Sequence, residues 1–342
     1  MIRNAFFSAQ PAAKPAGPRY VIACIDCSEH AAKVISHAYA IGDALDAPVT
    51  LLQVLEVKQA QAFRPDPIEW DLCRREARSS LRHLAECAEP KPEAADIQLV
   101  EGQIADEIIR FTKGHRDNLL VLGTQGEHGA DRQCIGGTVH SVLDRATDSI
   151  LLVPVTATAE APSYERIAVP LDGSCWAESV MPLAVRAARA ANAELVLVHV
   201  VPAPELTAPR PFEPEDLELR RRVIERNELT ARDYLDRLRR QLSAQGLRVR
   251  VVLKHGDNVR TTLGQIVAAE GADLVIMSAR GQGGSHPTDV RYGNVTSYLM
   301  THAMIPVLIA RPQAAISDLD TVSTTASTAA RQLSRMPMVA AA

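Results

Sequence analysis

The sequence predicts an α/β protein made of two doubly wound domains in tandem, each on a five-stranded parallel sheet. Three observations predict it. The second half of the chain repeats the first: residues 21–28, running from Val21 through Asp26 to Ser28, answer to residues 167–174, from Ile167 through Asp172 to Ser174. Residues 117–126, an acidic residue, an apolar run and then small residues ending in Gly126, answer to 272–281, which end in Gly281. A period of about 150 residues is one domain written twice, not a solenoid of short units. Within each half, short apolar strands alternate with amphipathic helical stretches, which implies a parallel sheet covered by helices on both faces.

In the first half, residues 20–25 form a strand that ends at Asp26. Ser28 is placed to cap helix 1, which buries Ala32, Ile35, Ala38 and Leu45 at helical spacing. Strand 2 covers 49–55. Helix 2 covers 68–88 and turns Leu72, Ala77, Leu81 and Leu84 inward. Strand 3 (96–100), helix 3 (105–112), strand 4 (119–122), helix 4 (138–146) and strand 5 (150–153) complete the unit. The second half gives strands at 166–171, 194–200, 248–253, 274–277 and 306–309. Its helix 2, about 214–244, is longer and heavily charged, with the stripe Leu217, Ile224, Ala231, Leu235, Leu238 and Leu242 facing the core. The boundaries that follow are a disordered tail at 1–17, a first domain at 18–156, a linker at 157–163, a second domain at 164–311 and a disordered Ala/Ser/Thr-rich tail at 312–342. A short helix near Thr325 to Leu333 is expected within that tail.

Composition narrows the function. A length of 342 residues suits two domains, and 46% hydrophobic content gives each a core. A net charge of −4 gives no electrostatic case for nucleic acid, and 4% aromatic residues leave no platform for stacking bases. No apolar run has membrane-spanning length, and the N-terminus does not read as a signal peptide. Six scattered cysteines in a chain of this size fit a reducing, cytoplasmic compartment.

In an open parallel sheet, a ligand sits beyond the carboxyl ends of the strands, where the strand order reverses. If strands 1 and 4 are neighbours there, Asp26 faces the Gly123 loop and Asp172 faces the Gly281 loop. The first loop reads Gly123-Thr124-Gln125-Gly126, nine residues, then Gly136-Gly137-Thr138. Glycines let backbone N–H groups turn toward a phosphate without a Cβ in the way, and a helix N-terminus adds unpaired donors. No lysine follows as in a P-loop, so this is not a Walker A motif. Two tight turns around a loop would produce the same pattern.

An Asp ending strand 1, a G-x-x-G after strand 4 and a nine-residue gap to a second glycine pair together resemble the universal stress protein family. The likeness covers both halves, through Val169–Ser174, Leu197–Val200, Asp273–Ser278 and Ile305–Ile309. It implies an adenine nucleotide alpha hydrolase-like fold with strand order 3-2-1-4-5, an ATP site in one branch of the family, Mg²⁺ carried by the nucleotide, and pairing of strand 5 edges into an intramolecular pseudo-dimer. Carried over by position, Asp26, Val54, Gly123, Gly126, Gly136, Gly137 and Thr138 form the first site. Asp172, Val200, Ser278, Gly281, Gly293 and Asn294 form the second. The first departs from the family at Gly137, where Ser or Thr is usual, with Thr138 one residue late. In the second, Ser278 replaces a glycine, Asn294 replaces Ser or Thr as a cap and side-chain donor, and eleven residues separate Gly281 from Gly293. Pro287 and Asp289 lie in that longer insert.

The resemblance therefore implies a cytoplasmic stress-response regulatory protein that binds ATP or a related adenine nucleotide, the first domain being better equipped. It leaves room for an unknown protein partner and for homodimers. The alternative is a nucleotide-free protein acting through protein–protein contacts. Slow ATP hydrolysis or adenylate transfer has no motif of its own here, and no catalytic residue is assigned. Other residues have plainer readings. Asp26 and Asp172 can simply cap a turn. Cys24 and Cys27 form a C-x-x-C without a second pair for zinc. His128, His140 and His286 lie in or beside the loops, and His199 reads as a partly buried ring. The arginines of the long helix, such as Arg220, Arg221 and Arg222, are balanced by neighbouring acids.

Overall fold

The computed structural model describes residues 18–56, 66–88, 96–114, 117–126, 135–157, 162–204, 214–281 and 292–311. Both expected tails, most of the linker, Cys134, His128, His286, Pro287, Asp289 and the helix expected near 325–333 lie outside these residues.

The first half folds as β1 (Tyr20–Ile25), α1 (Ala31–Ala44), β2 (Val49–Glu56), α2 (Pro67–Cys87), β3 (Asp96–Gly102), α3 (Ile104–Lys113), β4 (Asn118–Gly123), α4 (Gly137–Arg145) and β5 (Ser149–Val153). The second half gives β6 (Arg166–Pro170), α5 (Cys175–Glu178), α6 (Met181–Ala190), β7 (Glu194–Pro202), α7 (Pro214–Ser243), β8 (Arg248–Gly256), α8 (Val259–Ala269), β9 (Leu274–Ser278), α9 (Asn294–His302) and β10 (Val307–Ala310). The strands form one ten-stranded sheet in the order β3-β2-β1-β4-β5-β10-β9-β6-β7-β8. Each half thus has the order 3-2-1-4-5. Pairing is parallel within each half and antiparallel at the seam, where Leu152, Leu151 and Ile150 oppose Val307, Leu308 and Ile309.

The strands are apolar on both sides because both sides are covered. Along β1, Val21, Ala23 and Ile25 enter one core, and Ile22 enters the other. Helices α1, α2, α6 and α7 cover the first face, and α3, α4, α8 and α9 cover the second. Helix α1 also packs on α6 across the seam. This explains why even Ser36 and His37 of α1 are buried. The His37 imidazole and the Tyr164 hydroxyl meet at 3.0 Å in that contact.

Several local expectations need correction. Ser28 is not the N-cap of α1. That helix starts at Ala31 behind His30, with no side-chain cap, and Ser28 Oγ instead accepts from the His30 amide at 3.3 Å. In the second half the same helix is broken into α5 and α6, because Pro182 in the first turn of α6 has no N–H to continue the ladder from α5. Leu72 and Leu217 do not face a core but are more than half exposed. The cause is length. At about 1.5 Å per residue α7 runs ~45 Å, whereas nine residues of β8 at about 3.3 Å span ~30 Å. Its buried positions begin only at Ala231, so the first turns overhang the sheet. The same holds for α2, whose buried residues are Leu81 and Ala85. Among the described residues, no helix is long and apolar enough to cross a membrane.

Leu308 is fully buried at the seam. Leu308→Ala is expected to lower unfolding free energy by about 2–5 kcal/mol, measured by urea denaturation. A loss below about 0.5 kcal/mol, the range of ordinary surface changes, would show that the seam contributes little.

Candidate functional site

The two crevices open where β1 and β4, and again β6 and β9, run out at their carboxyl ends. Asp26 follows β1 directly. Its Oδ1 accepts from the Ser28 amide at 3.1 Å and from Ser28 Oγ at 2.6 Å. Its Oδ2 faces Gly126, where an added Cβ would come within 2.8 Å of it. The carboxylate therefore both holds its own turn and lies against the glycine loop. In the second half, Asp172 Oδ1 accepts from the Ser174 amide at 2.9 Å, and Asp172 Oδ2 lies closer still to where a Cβ on Gly281 would be. The turn after β6 needs Gly173 at φ +80°. Cys27 fills that place in the first half without a positive φ, so the two turns differ in shape.

Gly123 is the last residue of β4, paired with Val153, and Ser278 occupies the equivalent end of β9, opposite Ala310. The Ser278 hydroxyl turns back to accept from the Arg280 amide at 3.3 Å. Gly136 and Gly293 are the N-caps of α4 and α9. Their own amides are already used, donating to Thr124 O and Ala279 O at 2.9 Å, so neither can serve a ligand. Asn294 is not the cap expected of it, being the first residue of α9.

The donors without an acceptor among the described residues are fewer and better defined. Neither α4 nor α9 has a side-chain cap, whereas α2 and α8 are capped by Asp66 and Asn258. First-turn amides have no intrahelical acceptor. Among the described residues, the amides of Gly126, Gly137 and Thr138 find no acceptor, nor do those of Gly281, Asn294 and Val295. They also converge. A Cβ on Gly136 would lie 3.8 Å from the Gly126 nitrogen, and one on Gly293 would lie 3.9 Å from the Gly281 nitrogen. Gly137 has open space around it, with nothing within 4 Å of an added Cβ. Thr138 is exposed in the first turn of α4.

Val54 and Val200 lie near the carboxyl ends of β2 and β7 and pack with the second-face core. The pairing of β1 with β2 ends at Gln53 and that of β6 with β7 at Val198, so both valines lie past the neighbouring strand. Val54 is half-buried and Val200 buried. The residues before them differ. Gln53 is buried and donates from Nε2 to Cys27 Sγ at 3.5 Å. His199 donates from Nδ1 to the Leu171 carbonyl at 2.7 Å. Burial holds the His199 pKa below its usual 6.5, against the opposing pull of that carbonyl and of Asp172.

Three residues unmarked by any motif belong to this region. Thr296 is buried and donates from Oγ1 to Ser278 O at 3.1 Å, tying α9 to the end of β9. Tyr234 of α7 has its phenol pKa raised by burial and then by the Glu178 and Asp172 carboxylates. Lys33 donates to Val155 O at 2.5 Å, across from the end of β5. His140 pairs with Asp144 at 3.0 Å on the exposed side of α4. Burial raises the Cys24 thiol to about 12, so it supplies no thiolate near neutral pH, although Cys27 is exposed.

A family model described as the universal stress protein family matches residues 19–154 and again 163–311. A universal stress protein of Methanocaldococcus jannaschii is 26% identical over 132 residues, which span 37% of this chain and 77% of that protein. The crystal structure of a universal stress protein from Archaeoglobus fulgidus aligns with a TM-score of 0.59 at 16% identity, covering 86% of this chain and 96% of that one. A functionally unknown protein from Pseudomonas aeruginosa aligns with a TM-score of 0.61 at 12% identity, covering 90% and 98%. At these identities the structural likeness is one of fold.

The lowered His199 pKa has a pH signature. Its unfolded state binds the proton more tightly, so stability is full above 6.5 and is lost as pH falls through that value toward the folded pKa. His199→Gln, which copies Gln53, is expected to flatten this slope in denaturant titrations between neutral and mildly acidic pH. Parallel pH profiles for the two proteins would refute the assignment.

Proposed function

Because the chain belongs to the universal stress protein family, we propose that it is a cytoplasmic stress-response regulator that binds ATP, or a related adenine nucleotide, in its first crevice and more weakly in its second. The observation that carries this reading is the pairing of two unlike poles. The amides of Gly126, Gly137 and Thr138 have no acceptor among the described residues and suit phosphate oxygens. Beside them, the Asp26 carboxylate suits a ribose hydroxyl or an exocyclic amine, which donate, and Val54 offers an apolar surface for the base. A nucleoside phosphate carries all three characters in one molecule, whereas an inorganic anion carries only the first. The absent Cβ at Gly126 is what lets the Asp26 carboxylate lie against the loop.

The preference for the first crevice rests on geometry. In the second, the aspartate lies closer to its glycine, and Ser278 replaces the glycine that ends β4. Nucleotide, with any Mg²⁺ it brings, would report a cellular state to a protein partner. The rival reading, a nucleotide-free protein acting through its surface, draws its support from that tighter second crevice and from the overhanging apolar side chains of α2 and α7.

Purified protein should release adenine nucleotide on denaturation. Free ATP with Mg²⁺ at a hundredfold excess over Kd should stabilise the fold by about 2.7 kcal/mol, read as a rise in Tm. Gly126→Val should abolish most of the rise, since its side chain collides with Asp26. Gly137→Ala, in open space, should retain it. A Tm unmoved by millimolar ATP would favour the rival reading.

A further inference from the structure

We infer that Tyr292 is a positioning residue through which the first domain sets the geometry of the second crevice, so that the two crevices are energetically coupled. The inference rests on the nucleotide reading for its ligand, but not for its structural content. Tyr292 immediately precedes Gly293, the N-cap of α9. Its ring is buried, and its hydroxyl donates to the Leu143 carbonyl at 3.0 Å. Leu143 lies in the last turn of α4, the helix whose opposite end carries the uncapped amides beside the first crevice. At about 1.5 Å per residue, nine residues of α4 span only ~13 Å. One short, rigid element therefore touches both sites, by its first-turn amides at one end and by a carbonyl bonded to Tyr292 at the other.

The contact is reinforced. The Arg311 guanidinium lies over the Tyr292 ring, 4.8 Å from its centroid, and donates to the Ala146 carbonyl at the same helix end. The Arg311 amide donates to Ser149 Oγ at 3.1 Å. A cation at a helix C-terminus also complements the dipole. The arrangement is not reciprocated. The residue before Gly136 is Ile135, which has no hydroxyl to offer the last turn of α9. Through this hydrogen bond the approach to the second crevice is tied to the neighbouring domain, and Ile135 makes no counterpart of it. A ligand that draws α4 toward its phosphate would move Leu143 O and, through Tyr292, the amides beyond Gly293. By linkage, occupancy of the second crevice must bear on the first to the same extent.

Tyr292→Phe removes the hydroxyl and keeps the ring under Arg311. Two measurements test it. In the nucleotide-free protein, exchange of the hydrogen-bonded Gly293 and Ser297 amides, which donate to Ala279 O and Gly293 O, should accelerate. The equivalent Gly136 and His140 amides should not change. ATP affinity at the second crevice should differ by about fivefold or more between protein with the first crevice filled and protein in which Gly126→Val keeps it empty, the lower bound of typical coupling, and Tyr292→Phe should abolish that difference. In a Gly281→Val background, affinity at the first crevice should hold. Unchanged exchange overturns the inference, as does faster exchange with that difference in affinity left intact. Should no background bind ATP, the nucleotide reading fails and exchange alone decides the role of Tyr292.

Discussion

Antiparallel hydrogen bonding between β5 and β10 joins two five-stranded sheets into one surface, and most other features of the molecule follow from that junction. It brings α1 against α6 on one face, which makes α1 buried on nearly every side. On the other face it brings the end of α4 beside the approach to α9. Strand 5 of a doubly wound domain, apolar and otherwise an open edge, is here fully covered. The crevices lie on the outward sides of β4 and β9 relative to the seam. Their floors are therefore strands packed on both faces by helices from their own half, with the seam strand as the next neighbour.

Most of the fold could be read from the residues, because a parallel sheet covered on both faces demands continuous apolar runs, and these mark their own limits. Strand 1 at 20–25 coincides with the observed β1. Errors occurred where long-range packing overrides local pattern. Leu72 and Leu217 follow helical spacing, but spacing does not say where a sheet ends. Ser28 followed by a helical stretch looks like a cap, yet the carboxylate of Asp26 draws the Ser28 amide and hydroxyl to itself, and the helix starts two residues later than such a cap would set it. The break between α5 and α6 is legible in Pro182, which has no N–H to carry the ladder across.

The site was partly legible for a similar reason. Glycine and aspartate announce themselves because few other residues can do their work, and the structure brings Asp26 to Gly126 and Asp172 to Gly281. Which amides remain available was not legible. Gly136 and Gly293 matched a motif, but their N–H groups close the turn onto Thr124 and Ala279, and the donors shift to the residues after them. Thr296 and Tyr292 carry no motif at all. Each acts through one hydroxyl aimed at a backbone carbonyl, and the partner carbonyl of Tyr292 lies about 150 residues away in the chain. Only a fold in hand supplies such a partner.

The seam also sets an order of events during synthesis. Ile150, Leu151 and Leu152 end up with essentially no solvent exposure, but their partners on β10 are made some 150 residues later. At about 5–20 residues per second, a ribosome needs roughly 8–30 s to reach them. For that interval the nascent first half can already close its own sheet while presenting an unsatisfied, greasy strand to whatever is nearby. Two such chains on one polysome could join by the same pairing that the finished molecule makes with itself. Holding both halves on one polypeptide raises their local concentration for each other and makes the intramolecular partner the faster one to arrive.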